Sequence, residues 1–181
     1  MAADITADHE EIRRLVAEAF AGLEGADVVV EVVRARHSRL SFTGLAFWEL
    51  PPTARRRLPS EVRYLVRLRL PSTIRNRSYP KTYRYRDRTT APWITVEDWR
   101  ERLVALAAHE ACHVRQFREG LRRSEVEAER WALRVLDAWR SGSGGPEAAR
   151  AAAPAPAVGL GDGWAVQLRL PLAAAVPASL T

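Results

Sequence analysis

The sequence predicts an α+β fold, with an N-terminal helix, a small mostly antiparallel sheet and two consecutive helices after it. Three observations lead there. Apolar residues recur at helical spacing near the start of the chain and again over 99–140, strand-like alternation fills the stretch between, and prolines, glycines and polar clusters punctuate the junctions. The 181 residues, 47% of them apolar, suit one domain over 1–140, a flexible Gly/Ala/Pro-rich linker over 141–163 and a tail over 164–181.

Residues 7–24 place Ile12, Leu15, Val16, Phe20 and Leu23 on one helical face, with Asp8, Glu10 and Glu11 at the start, where acids suit the helix dipole, and Gly25 at the end. His9 reads as a solvated helix-start residue. The valine-rich run from Asp27 to Arg36 reads as a strand, closed by His37 and a turn at Ser38 and Arg39. A second strand lies within Leu40–Leu50, broken near Gly44 and closed by Pro51 and Pro52. Arg55, Arg56 and Arg57 form a basic cluster read as a solvated turn.

From Glu61 to Leu70, Val62, Tyr64, Val66, Leu68 and Leu70 face one way and Arg63, Arg67 and Arg69 the other, the pattern of a half-exposed antiparallel strand. Over 82–88, Tyr83, Tyr85 and Asp87 alternate with arginines in an edge strand. In the tail, Trp164, Val166, Leu168 and Leu170 alternate as a short strand, and the segment from Val166 to Pro171 nearly repeats that from Val66 to Pro71. A tethered strand of this kind can add to an open sheet edge, and one expectation is that it covers the functional cleft.

The chemistry lies in the two helices. Thr95 and Asp98 read as a capping-box variant, Trp99, Leu103, Leu106, Ala107, Val114 and Phe117 follow at helical spacing, and Gly120 is the stop. In mid-helix stand His109, Glu110 and His113, an H-E-x-x-H pattern. Residues four apart leave one helix face a turn apart, so both imidazoles can bind one zinc ion at about 2.0–2.1 Å. Glu110, about 100° round the helix, reaches a water on that ion rather than the ion itself, the position of a general base.

A third ligand must be a carboxylate or Cys112, since no histidine follows His113. Cys112 points about 60° away from His109 and cannot close the site from the same helix. Ser124 and Glu127 form a capping box that starts the next helix at Glu125. On its wheel Glu125 and Glu129 edge the apolar arc of Ala128, Ala132, Val135, Leu136 and Trp139, whereas Glu127 falls opposite, with Arg130 and Arg134. Carboxylates aimed at a core need a partner. Glu125 is accordingly the expected third metal ligand, and Glu129 the expected acceptor for the other nitrogen of a ligand imidazole.

H-E-x-x-H followed by Glu125-Val126-Glu127-Ala128-Glu129 on the next helix resembles the gluzincin group of zinc metallopeptidases, over roughly residues 93–140. It is also similar to small bacterial zincin domains of the SprT-like and ImmA/IrrE-like kinds. The resemblance implies a zincin-like domain, His109, His113 and Glu125 as zinc ligands, Glu110 as catalytic base and Glu129 where the group usually has aspartate. It further implies that a strand forms the upper rim of the cleft and pairs with an extended peptide substrate. Either 61–70 or 82–88 is a candidate for that rim, and Tyr83 or Tyr85 for an oxyanion donor.

Composition bounds the alternatives. One cysteine excludes an internal disulfide and a zinc ribbon. No secretory signal and no bilayer-length apolar run is visible, so a cytoplasmic protein without a membrane partner is expected. The net charge of +6 rests on arginine, Lys81 being the one lysine. Charge alone allows nucleic acid as a partner, but no recognised motif supports it. A peptide or protein substrate is expected. The rival readings are a regulatory peptidase that cuts one partner protein and a non-catalytic module binding acidic partners or nucleic acid through its arginine-lined strands.

Overall fold

The computed structural model describes residues 9–21, 23, 27–34, 42–71, 79–84, 90–142 and 165–169, with Arg34 and 165–169 described by their backbone. The expected turn residues Gly25 and His37–Arg39, the Tyr85 and Asp87 positions and the linker beyond residue 142 lie outside that set. The fold is α+β. In chain order the elements are α1 (His9–Ala19), β1 (Val28–Arg34), β2 (Thr43–Phe47), α2 (Pro52–Arg55), β3 (Tyr64–Leu70), β4 (Lys81–Tyr83), β5 (Ile94–Val96), α3 (Trp99–Arg118), α4 (Glu125–Arg140) and β6 (Ala165–Arg169). No helix among the described residues is long and apolar enough to cross a membrane.

Four strands form one sheet in the order β2-β3-β1-β6, and β4 and β5 form a separate antiparallel ribbon. β1 and β3 are parallel, with Val30 opposite Val66. β2 pairs antiparallel with β3, and β6 antiparallel with β1. The two similar segments therefore flank β1 on opposite sides, and β6 occupies the sheet edge farthest from β2. The tail strand thus adds to an open sheet edge, with β1 and β3 between it and β2.

β1 reads as a continuous valine run because both of its faces are covered. On one face Val28, Val30 and Val32 join Val66, Leu68 and Leu70 beneath α1 and α3. On the other, Val29 and Leu65 pack with Ala54, Leu58 and Val62 under α2 and its following turn. The arginine face expected for 61–70 is therefore only partly wet. Arg67 donates to the buried Glu31 carboxylate at 2.7 and 2.9 Å, and Arg57 joins from the α2 turn at 3.2 Å. These two expected surface cations pair with an internal carboxylate, whose charge would be costly to leave unpaired.

α1 is shorter than its apolar pattern. Ile12, Leu15, Val16 and Ala19 bury one stripe, and Phe20 and Leu23 continue the packing from the turn beyond. α3 starts three residues later than its expected box. Asp98 is the N-cap, accepting from the Arg100 and Glu101 N–H groups, and Glu101 reaches back to the Glu97 N–H at 2.7 Å. Thr95 lies in β5, a strand the sequence pattern conceals. At the other end Gly120 adopts φ 65°, with Leu121 N–H bonded to Gln116 O and Gly120 N–H to Phe117 O, a Schellman stop. Ser124 caps α4 as expected, accepting from Glu127 N–H at 3.3 Å. Ala128 and Ala132 are buried, and these small residues let α4 lie close along α3.

Candidate metal centre

His109 and His113 leave the buried middle of α3 on one face, and the first turn of α4 brings Glu125 to them. His113 Nε2 lies 3.1 Å from His109 Nε2, and Glu125 Oε2 lies 3.1 Å from His109 Nε2 and 3.3 Å from His113 Nε2. Three ligand atoms around a tetrahedral ion at about 2.0–2.1 Å would be separated by about 3.3–3.4 Å. The nearly equilateral triangle thus fits one small cation, and this group of three could hold a metal ion.

The outer nitrogens determine which way the lone pairs point. His113 Nδ1 sits 2.9 Å from Gln116 Oε1. Gln116 cannot turn its amide round. Its NH2 group donates to Ser124 O and to Glu127 Oε2, and its oxygen accepts from Ser124 N–H. His113 must therefore donate from Nδ1 and present a bare Nε2 to the triangle. His109 Nδ1 meets Glu129 Oε1 at 3.3 Å.

The field of the site favours positive charge. Burial disfavours the charged form of His109, but hydrogen bonds to Glu125 and Glu129 outweigh it and raise the imidazole to about 9. Glu125 is held down to about 2, first by its hydrogen bond to His109. Burial lowers His113. A metal would take the place of the proton on His109, as metal binding to imidazole requires.

Glu110 is 3% exposed, and its buried Oε2 has no hydrogen-bond partner among the described residues. Burial is the main cause that raises its carboxyl to about 6, a backbone hydrogen bond at Ala46 pulling the other way. Glu110, His109 and Glu129 line a cleft of about 460 Å³ with Gly44 of β2 and Tyr83 of β4. Burial raises the Tyr83 phenol above its ordinary range. Cys112 is buried beside the site but outside the triangle, its thiol raised to about 11 by burial.

Two expectations are corrected. β3 is paired on both sides, so 61–70 has no free edge for a peptide, and the strand edge beside α3 belongs to β2. Glu127 does not face away with Arg130 and Arg134. It accepts from Arg115 at 2.6 Å and from Gln116 at 3.0 Å, both on α3, because α4 presents more of its first turn to α3 than its apolar arc suggests. Two residues with site roles were not singled out in the sequence, Gln116 and Gly44. Gln116 lies three residues after His113, hence on the same face, and that spacing was its only signal.

Comparison of the chain with family models, curated proteins and solved structures finds no significant match.

Proposed function

We propose that this chain is a zinc-dependent metallopeptidase of the gluzincin type, with a zincin-like α+β domain and a peptide or protein substrate. The observation that carries the reading is the meeting of three ligand atoms at tetrahedral spacing beside a buried carboxyl that has an oxygen without a partner among the described residues. His109, His113 and Glu125 would hold the ion. A bound zinc would supply Lewis acidity toward water and a carbonyl. Glu110 does the proton work. Its Oε2 takes a proton from the attacking water and later gives it to the leaving amine, a task suited to a carboxyl raised to about 6. β2 is the strand against which an extended peptide would lie, and Tyr83, which also lines the cleft, is the candidate donor to the oxyanion.

The test begins with metal content by elemental mass spectrometry on wild type, His113→Ala and Glu125→Ala. Near-stoichiometric zinc in wild type and its loss in both variants is the expected result. Glu110→Gln should then keep zinc and lose peptide hydrolysis. A wild type that takes up no zinc when supplied, or a Glu110→Gln protein that still hydrolyses peptides, sinks the proposal.

A further inference from the structure

Among the described residues the half-buried arginines follow a rule with two exceptions. Arg13, Arg67, Arg100, Arg115 and Arg118 each hold a carboxylate: Glu10, Glu31, Glu11, Glu127 and Asp27 respectively. Arg84 and Arg102 do not. Among the described residues no carboxylate lies in ion-pair range of either, and both line the cleft that His109 and Glu110 also line.

Their placement is held from behind. Arg102 stacks on the Tyr83 ring, its guanidinium carbon 3.9 Å from the centroid, and Arg84 stacks on Trp93 at 4.7 Å. Such stacking orients a guanidinium but leaves its charge and most of its N–H donors unmatched. The same cleft is also lined by the carboxyls of Glu110 and Glu129.

Arg102 precedes His109 by seven residues, two turns of α3, hence on the same face and about 10 Å along the axis. An extended peptide advances about 3.3 Å per residue, so that distance spans about three residues.

We infer that Arg84 and Arg102 form an anion-binding subsite that selects peptides bearing a carboxylate about three residues from the bond to be cut. The carboxylate is an acidic side chain or the free C-terminus of the peptide. This rests on the peptidase reading for the bond that is cut, but the subsite itself is a binding property.

The test uses fluorescence anisotropy on full-length Glu110→Gln protein supplied with zinc, so that turnover does not consume the probe. Three labelled peptides of one sequence are compared: one with a single glutamate and an amidated C-terminus, one neutral with a free C-terminus, and one neutral and amidated. At least one charged peptide should bind about tenfold or more tightly than the neutral one, the scale of a charge-assisted hydrogen bond, and the preference should shrink as salt rises. Which charged peptide gains identifies the source of the carboxylate. Added Arg84→Gln and Arg102→Gln should abolish the preference, and Arg102→Lys should restore part of it. Thermal melts confirm that each variant is folded, and Arg84→Gln alone serves if the change at Arg102 unfolds the chain. Equal affinity for all three peptides, or a preference that survives in the double variant, overturns the subsite. Cleavage of the same peptides by protein with Glu110 intact is read separately. Preference without cleavage leaves the subsite and removes the peptidase, and cleavage without preference does the reverse.

Discussion

Gly44 lies so close to Glu110 that a β-carbon built on it would stand 2.5 Å from Oε1 and 2.6 Å from Cγ. The backbone of β2 and the candidate catalytic carboxyl are therefore in direct contact, and the strand sets where that carboxyl can be. Gly44→Ala should displace Glu110 while leaving the three ligand residues in place. We expect zinc content near that of wild type, a loss of stability of about 1–3 kcal/mol from overpacking, and at least a tenfold fall in peptide hydrolysis, of the size general-base catalysis contributes. Unchanged kcat/KM would show that the contact does not matter to the reaction.

Gln116 gives a test of how the imidazoles are aimed. Gln116→Leu removes the acceptor for His113 Nδ1 and frees the ring to present the wrong tautomer. Zinc affinity, measured by competition with a chromophoric chelator, should fall about 10–100-fold with the fold intact. An affinity equal to that of wild type would mean that the amide only fills space.

The ion pair between Glu31 and Arg67 predicts a large stability effect at a position that reads as surface. Arg67→Ala leaves the Glu31 carboxylate, with a side chain 4% exposed, held by Arg57 alone. Chemical denaturation should show a loss of about 3 kcal/mol or more, as for breaking a buried pair. Arg69→Ala, at an exposed position of the same strand, should cost less than about 0.5 kcal/mol.

Glu101 and Arg140 predict a pH dependence. A forked pair of hydrogen bonds, 2.9 and 2.5 Å, ties the start of α3 to the end of α4 and lowers the Glu101 carboxyl below its ordinary value. A lowered carboxyl contributes stability that is present above its unfolded value, near 4.5, and is lost as the pH falls through the lower folded value. The Tm difference between wild type and Glu101→Gln should therefore be constant above about pH 5 and shrink below pH 4. A difference independent of pH down to 2 would remove charge from the account.

The α+β class, the capped start of α4, the Gly120 stop and the group of His109, His113 and Glu125 were legible in the sequence, since each depends on contacts within a few residues or on one helical period. Helical spacing puts two histidines on one face without knowledge of the rest of the chain. The Ser124 cap sets the phase of α4, although Gln116 and not Glu127 takes the Ser124 N–H, and phase alone points Glu125 and Glu129 toward a neighbour. The parallel pairing of β1 with β3, the partial covering of the second face of β3 and the turn of Glu127 toward α3 depended on partners far away in the chain. Alternation along one strand does not reveal whether its second face is covered, and an apolar arc does not reveal how a helix is rolled against its neighbour. Gly44 is the sharpest case. As sequence it marks a weak point in a strand, and only the packing of β2 on α3 makes it the place where the Glu110 carboxyl fits, because that steric limit exists only once both elements are in position.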